Sequence, residues 1–345
     1  MTASTRRLAG RRPRGVSFIG GLSHDCRGSP DSLDSPPMKT PLPPALTAAA
    51  IDWGARRFAR ARLSFGHGTD NPRDEAAALV FHAAGWPHTA APAAYRWRLT
   101  RVARERLASL VHRRIAQRIP AAYLTGVTWF AGHEIRVDPR VLVPRSPIAE
   151  LIGHRFLPFV RPERVRRILD IGTGSGCIAI ACAHAFPAAT IDAVDISAGA
   201  LEVARDNVRR HRLERRVRLR LASVYRGLGT RRYDIIVSNP PYVPTGEVVA
   251  LPAEYRHEPP IALEAGVDGL RVVGAILRGA VRHLQPGGVL VVEVGDSAGA
   301  VAASWPGLPF LWLGFEHGGG GVFLMTREQL ALRRRPTARR AMRAR

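Results

Sequence analysis

The hydrophobic pattern changes its period twice along the chain. From Ala45 to about Ile119, apolar residues recur every three or four positions, which predicts amphipathic helices. From Trp129 to Val137 they alternate around a glycine, which predicts a β-hairpin. From Val165 onward, short apolar runs alternate with helical segments. This order predicts a parallel sheet with helices on both faces.

Individual elements follow from the same pattern. Pro72 with Asp74 and Glu75 marks a helix start. A second helical stretch, Leu99 to Ile119, places arginines between apolar residues that include Val102. The later region is predicted to hold strands Arg167–Ile171, Thr190–Asp195, Val217–Leu221, Tyr233–Val237 and Val289–Val294, helices Ile178–Ala185, Ala198–Arg210 and Leu270–Leu284, and an antiparallel hairpin of Phe310–Phe315 with Gly321–Met325.

Composition separates the chain into five predicted segments. The ends are rich in arginine and lack any apolar period, which is typical of disorder. Met38 directly precedes the first patterned segment, and our hypothesis is that translation naturally starts there. The segments are a disordered extension (1–45), a helical domain (46–121), a hairpin linker (122–146), an α/β domain (147–330) and an arginine-rich disordered tail (331–345).

Composition and charge restrict the class of protein. Of 345 residues 46% are apolar, enough for a real core, yet no apolar run is long enough to span a membrane. We therefore predict no membrane association and no secretory signal. The net charge is +23, and Lys39 is the only lysine. Two interpretations stay open: a partner that is, or lies beside, nucleic acid such as rRNA, and a solvated arginine surface.

The cysteines argue against extracellular and metal-binding classes. Cys26, Cys177 and Cys182 form no C-x-x-C pair, so their number and spacing favour neither disulfides nor a zinc site. We predict a cytoplasmic protein without a metal, with Cys177 and Cys182 as small core residues on a helix.

A glycine-rich segment follows the first strand of the α/β region. It runs from Asp170 to Gly176 and leads into a helix. Glycines there let the backbone approach a ligand and expose N–H groups at the helix start. Asp195 lies 19 residues beyond Gly176, at the spacing of an acid that binds a ribose hydroxyl. The pattern predicts an adenosine cofactor and leaves a dinucleotide and S-adenosylmethionine as alternatives.

A second motif, Asn239-Pro240-Pro241-Tyr242, ends the strand that begins at Tyr233. Two prolines stop the strand. An asparagine oxygen and a proline carbonyl can each accept one hydrogen of a planar NH₂ group. Such acceptors localise the nitrogen lone pair, and the tyrosine ring can stack on a planar substrate. The motif therefore favours methyl transfer by in-line displacement from a sulfonium methyl group, without a covalent enzyme intermediate.

Together these motifs resemble those of the HemK-type protein N5-glutamine methyltransferases, over about residues 50–330. The resemblance rests also on Tyr123-Leu124-Thr125-Gly126, on Trp129 to Glu134 and on Glu258-Pro259. It implies a seven-stranded, Rossmann-like methyltransferase sheet behind an N-terminal helical substrate domain. It also implies S-adenosylmethionine as the cofactor.

Three further segments resemble one branch of that family. Pro144-Arg145-Ser146-Pro147 replaces the Pro-Arg-Pro-x-Thr-Glu of release-factor enzymes. Segments 65–72 and 251–259 also resemble the PrmB branch, which methylates a glutamine of large-subunit ribosomal protein L-three. The resemblance implies that this ribosomal protein, free or on an assembling particle with rRNA nearby, is the substrate.

The resemblance also implies roles for individual residues. One departure is Ser223, which stands where many relatives have an aspartate near the adenine. His133 and His257 are interpreted as structural. The expected residues are Asn239, Pro240 and Tyr242 for catalysis, Asp170, Gly172, Gly174, Gly176, Asp195, Ser223 and Asn239 for the cofactor, and Asn239, Pro240, Pro241 and Tyr242 for the substrate.

Four alternatives remain at this point. Release factors could be the methylated proteins. An adenine-N6 methyltransferase of nucleic acid would use the same motif, although no base-recognition domain is evident. An NAD-linked oxidoreductase fits the glycine segment but leaves the second motif unexplained. A basic ribosome-assembly protein without enzymatic activity would depend on the terminal tails.

Overall fold

The computed structural model describes residues 41–87, 90 and 92–332. The predictions for Met38, for Cys26, for most of the extension and for most of the arginine-rich tail lie outside these residues. Within them, no helix is both long enough and apolar enough to span a membrane.

Four helices and one strand pair precede the large sheet. Helix α2 begins at Pro72, as predicted, because Asn71 Oδ1 accepts hydrogen bonds from the N–H groups of Arg73 and Asp74 at 3.0 and 2.9 Å. Gly85 ends it with a φ of 69°. The elements are α1 (Thr47–Arg60), α2 (Pro72–Ala84), α3 (Arg101–Gln117), α4 (Ala121–Thr125), β1 (Val127–Phe130) and β2 (His133–Arg136).

The α/β region is a seven-stranded sheet, and this predicted fold class is confirmed. Its strand order is β5-β4-β3-β6-β7-β9-β8; the first five strands are parallel, and β9 is antiparallel to both β7 and β8. The elements are α5 (Ile148–Gly153), β3 (Arg167–Ile171), α6 (Cys177–Ala185), β4 (Thr190–Asp195), α7 (Ala198–Arg210), β5 (Val217–Leu221), β6 (Tyr233–Ser238), α8 (Thr245–Val248), α9 (Arg271–His283), β7 (Leu284–Glu293), α10 (Ala298–Ser304), β8 (Leu311–Leu313), β9 (Val322–Thr326) and α11 (Arg327–Leu332).

Two apolar cores lie on opposite faces of the sheet. One packs α5, α6 and α7 against it, and Cys182 is buried there, as predicted. The other packs α9 and α10. A third core joins α1, α2 and α3. The bounds predicted for the five segments stay a prediction.

The sequence pattern was wrong at Val102 and at the start of β7. Val102 was assigned to the apolar side of its helix, yet it is 55% exposed. Strand β7 was predicted to begin at Val289 and begins at Leu284. Arg114, one of the arginines between the apolar residues of α3, is completely buried. Its guanidinium donates to Glu75 of α2 and, at 3.1 Å, to Glu254 Oε1. A buried charge is tolerated only when it is paired, so partners distant in sequence explain the burial.

The β-hairpin is held by one buried asparagine of α7. Asn207 Oδ1 accepts from the Arg136 N–H at 2.8 Å, and its Nδ2 donates to the Arg136 carbonyl at 2.9 Å. The same Nδ2 donates to the Ser175 carbonyl at 2.9 Å. Asn207 thus fixes β2 and the glycine-rich segment relative to each other, which gives the cavity described below one rigid wall.

Candidate active site

The two sequence motifs meet at the carboxyl ends of adjacent strands. Ile171 of β3 pairs with Ser238 of β6, so Gly172 and Asn239 follow side by side. A side chain on Gly172 would lie 3.9 Å from the Asn239 carbonyl oxygen. This edge, where parallel sheets bind ligands, carries a cavity of about 450 Å³.

Most of the predicted site residues line this cavity. They include the glycine-rich segment, the acid after β4 and the residues after β6. The predicted residues in the lining are Gly172, Gly174, Asp195, Ser223, Asn239, Pro240 and Pro241, and other residues in it include Phe130, Arg140, Arg145, Ser146, Ile196 and Arg271.

The glycine-rich segment is held open by Asp195. Gly172 and Gly174 have φ values of 72° and 53°, in the left-handed region that favours glycine. Asp195 Oδ2 accepts from the Gly174 N–H at 2.8 Å, and Oδ1 accepts from the Ser197 N–H at 2.9 Å. Burial raises the pKa of Asp195, although both N–H groups oppose that shift. A side chain at position 174 would meet no atom within 4 Å, so its absence leaves room for a ligand.

Three predicted residues are absent from the cavity lining. Asp170 is fully buried, and burial raises its pKa to about 7. Its Oδ2 accepts from the Thr173 hydroxyl at 2.5 Å, so Asp170 shapes the segment from behind. A side chain on Gly176 would lie 3.3 Å from Ala204, so this glycine permits close packing of α6 on α7. The third residue, Tyr242, directs its hydroxyl toward Glu293.

Tyr242 belongs to a cluster around an acid that sequence reasoning missed. Glu293 ends β7, beside β6, and is 5% exposed. Its carboxylate accepts from the Tyr242 hydroxyl at 3.4 Å and from the Ser146 hydroxyl, and the Asn239 side chain nearby favours its ionised form. Burial raises the pKa of Glu293 to about 7 against these donors and nearby Arg145. The only sequence feature that marks Glu293 is its position as an acid at the end of an apolar strand.

A second acid joins the three segments that carry the branch resemblance. Glu258 accepts from Arg145 Nη1 and Nη2, both at 2.6 Å, and from the Val143 N–H at 3.0 Å. His67 Nε2 lies 3.6 Å from Glu258, and the His67 and Tyr255 rings meet edge to face at 4.5 Å. Burial alone would raise the pKa of Glu258, but the Arg145 pair lowers it to about 2. The helical region, the linker and the segment after β6 thus meet beside the cavity.

Known proteins match the chain over nearly its whole patterned length. Residues 49–126 match the PrmC N-terminal domain, and residues 153–251 match the methyltransferase small domain. Ribosomal protein uL3 glutamine methyltransferase of Bordetella pertussis is 46% identical over 281 residues, covering 81% of this chain and 94% of the relative. The protein of the same name from Neisseria meningitidis is 48% identical over 282 residues, covering 81% and 92%. This chain belongs to the ribosomal protein uL3 glutamine methyltransferase family.

Membership confirms the HemK-type resemblance, including its ribosomal-protein branch, and makes the chain a methyltransferase. It removes the oxidoreductase and the non-enzymatic assembly protein as alternatives. Among solved structures, a methyltransferase from Pyrococcus furiosus is 22% identical, with a TM-score of 0.41, covering 56% of this chain and 88% of that chain.

Proposed function

We propose that the protein transfers a methyl group from S-adenosylmethionine to the side-chain amide nitrogen, N5, of a glutamine in ribosomal protein uL3. The observation that carries the proposal is the position of Asn239 and Pro240. They lie at the carboxyl end of β6, in the wall of the cavity that the glycine-rich segment also lines. The similar curated proteins are named for this activity.

The donor set of the cavity fits S-adenosylmethionine. Asp195 offers carboxylate lone pairs beyond the two that its backbone partners use. Ala222, Ser223 and Val224 supply a neighbouring wall for an adenine ring. Gly172 and Gly174 leave space for the methionine end. When bound, S-adenosylmethionine supplies an electrophilic methyl group on a cationic sulfur.

The residues after β6 prepare the amide nitrogen. Asn239 Oδ1 accepts one N–H of the substrate amide, and the Pro240 carbonyl accepts the other. With both hydrogens held, the lone pair is less delocalised and points toward the methyl group. Pro241 keeps the segment rigid. Tyr242 lies outside the cavity lining and donates to Glu293, and burial raises its pKa well above the ordinary value, so it remains protonated.

The target protein is held by more than the cavity. We assign the helical region to substrate recognition, because Glu258 and Glu254 connect it to the segment after Asn239. The net charge of +23 favours a substrate on an assembling particle with rRNA nearby, in the cytoplasm. No step requires a metal.

The direct test is a methyl-transfer assay with labelled S-adenosylmethionine on three substrates: ribosomal protein uL3, a release factor and single-stranded DNA. We expect label on uL3 alone, in a tryptic peptide whose modified residue is glutamine. Label on the release factor alone would contradict the assignment to the ribosomal branch. Label on DNA alone would contradict protein methylation.

Ser223 provides a prediction about the cofactor. It is exposed and lines the cavity, where relatives commonly have an aspartate. We expect Ser223→Asp to bind S-adenosylmethionine equally well or up to roughly tenfold tighter, because a carboxylate accepts a stronger hydrogen bond than a hydroxyl. Isothermal titration calorimetry measures the affinity.

The matched control is Asp195→Ala. It removes the proposed ribose acceptor and should weaken binding by roughly 10- to 100-fold. A clear loss of affinity in Ser223→Asp, comparable to that of Asp195→Ala, would show that position 223 does not face the adenine.

A further inference from the structure

Three histidines meet away from the cavity, where the hairpin packs on two helices. His133 is the first residue of β2, His184 lies in the last turn of α6, and His211 directly follows α7. One ring nitrogen of each histidine lies within 4.8 Å of one ring nitrogen of each of the other two. None of the three lines the cavity, and the proposed function uses none of them.

The spacing of two of these rings suits a transition-metal ion. His184 Nε2 and His211 Nδ1 are 3.4 Å apart. Two imidazoles bound to one tetrahedral zinc ion, with Zn–N bonds of about 2.0–2.1 Å, place their nitrogens roughly 3.4 Å apart. The two ring planes are inclined by 73°, so both nitrogens can point toward a common position.

The surroundings fix the orientation of His211. Its Nε2 lies 2.9 Å from the carbonyl oxygen of Glu134. A carbonyl only accepts, so the proton is on Nε2 and the lone pair of Nδ1 faces His184. Metal-binding histidines characteristically donate their second N–H to such an oxygen. Asn207, one turn earlier on α7, holds the same strand through Arg136.

The type of side chain also suits a transition metal. Neutral imidazoles carry the lone pairs that a metal requires. An all-imidazole set without thiolate or carboxylate is typical of zinc, copper or nickel rather than magnesium or calcium.

We propose that His133, His184 and His211 bind one zinc ion, with water as the fourth ligand, and so clamp the hairpin to the C-terminal ends of α6 and α7. The His133 and His184 rings are stacked, with centroids 4.3 Å apart and planes inclined by 21°. Nearly parallel rings cannot both direct a lone pair at one ion, so the His133 ring rotates when zinc binds.

The clamp acts on stability and not on the methyl transfer. Helices α6 and α7 begin at the cavity, beside Gly176 and Ser197, and the histidines lie at their opposite ends. Zinc that binds only the folded state raises the melting temperature in proportion to its affinity and concentration.

The test uses the full chain without a polyhistidine tag, stripped of metal with a chelator. We expect isothermal titration calorimetry to give one zinc per chain, a higher melting temperature with zinc, and an intense visible absorption with Co²⁺ that reports a tetrahedral nitrogen site. His184→Asn is exposed and should fold; it should weaken zinc binding by roughly 10- to 100-fold. His211→Asn should have the same effect.

The matched control is His112→Asn, an exposed histidine of α3 outside the cluster, which should bind zinc like the unmodified chain. Equal zinc affinity in His184→Asn and His112→Asn would overturn the proposal and leave the cluster as stacked, hydrogen-bonded rings. An octahedral Co²⁺ spectrum would overturn it as well. If His211→Asn does not fold, the zinc affinity of His184→Asn and the Co²⁺ spectrum still test the proposal.

Discussion

Asn239→Ala is expected to lower kcat for methylation of uL3 by roughly 10²–10³-fold, comparable with removing one preorganised hydrogen-bonding group from an active site. The residue lines the cavity next to Gly172, where the side-chain oxygen can accept a hydrogen of the substrate amide. Without that acceptor the nitrogen lone pair stays delocalised into the carbonyl, and the nitrogen remains a poor nucleophile.

A second substitution at Asn239 tests whether any oxygen acceptor is sufficient or whether an oriented amide is required. Asn239→Asp keeps an oxygen that could accept the substrate N–H, but it loses the NH₂ group that favours the ionised form of Glu293. It also places a second carboxylate against a buried acid. We therefore expect Asn239→Asp to be as inactive as Asn239→Ala at pH 8. Near-normal activity would contradict the proposed orientation.

Initial rates with labelled S-adenosylmethionine and saturating uL3 measure this prediction. Gln117→Ala is the matched control, because it removes a side-chain amide from the exposed end of α3. The sequence also predicts a cofactor contact for Asn239, but Asp195 is unchanged, so calorimetry should show that Asn239→Ala binds S-adenosylmethionine within a few fold of the unmodified chain. Loss of cofactor binding would instead assign Asn239 to the cofactor.

Local sequence determined much of the fold. Strands β3, β4 and β5 have the predicted bounds. The adjacency of Gly172 and Asn239 also followed, since the carboxyl ends of parallel strands share one edge. The sheet order confirms that expectation.

Contacts between residues distant in sequence were not predictable. The burial of Arg114 depends on Glu254, 140 positions away, and the pair of Arg145 with Glu258 spans 113 positions. Periodicity reports only on neighbours within a few turns, so it could not indicate that Arg114 is buried. The segments that carry the branch resemblance can be identified in the sequence. Only the structure shows that they converge on Glu258.

Ser146 is another residue whose distant contact could not be predicted from the sequence, and this contact bears on function. At sequence level Ser146 was only a departure from the Pro-Arg-Pro pattern of release-factor enzymes. Its hydroxyl donates to Glu293, 147 positions away, and the Asn239 side chain lies near the same carboxylate. A proline at that position has no donor to offer. The branch difference therefore reaches the neighbourhood of Asn239, the residue proposed to bind the substrate amide.

Glu293 should give the methyl transfer its pH dependence. Burial raises the pKa of this carboxyl from 4.5 to about 7. When ionised, Glu293 attracts the Asn239 NH₂ group, and we propose that this keeps Oδ1 turned toward the substrate. When protonated, it can donate to Oδ1 and reverse the amide. We expect kcat/KM to rise with pH through about 7 and to fall roughly tenfold for each unit below it.

Glu293→Gln removes the titrating group and should flatten this profile at a level roughly 10- to 100-fold below the unmodified chain at pH 8. Glu214→Gln, at an exposed glutamate, is the control and should retain the inflection. An inflection near pH 7 that persists in Glu293→Gln would assign the titration to another group, and Asp170, whose pKa burial also raises to about 7, would be the next candidate.

Stability provides a second, independent measure with the opposite sign. A carboxyl whose pKa is raised from 4.5 to about 7 by folding stabilises the protein below pH 4.5, and that contribution is lost as pH rises through about 7. Between those limits the loss amounts to roughly 1–3 kcal/mol for Glu293. Glu293→Gln should therefore be relatively more stable at pH 8 than at pH 5, compared with the unmodified chain. Raising the pH therefore activates the amide that Glu293 orients and, at the same time, lowers the stability of the fold. Denaturant unfolding at pH 5 and at pH 8 tests whether the Glu293 carboxyl causes both effects.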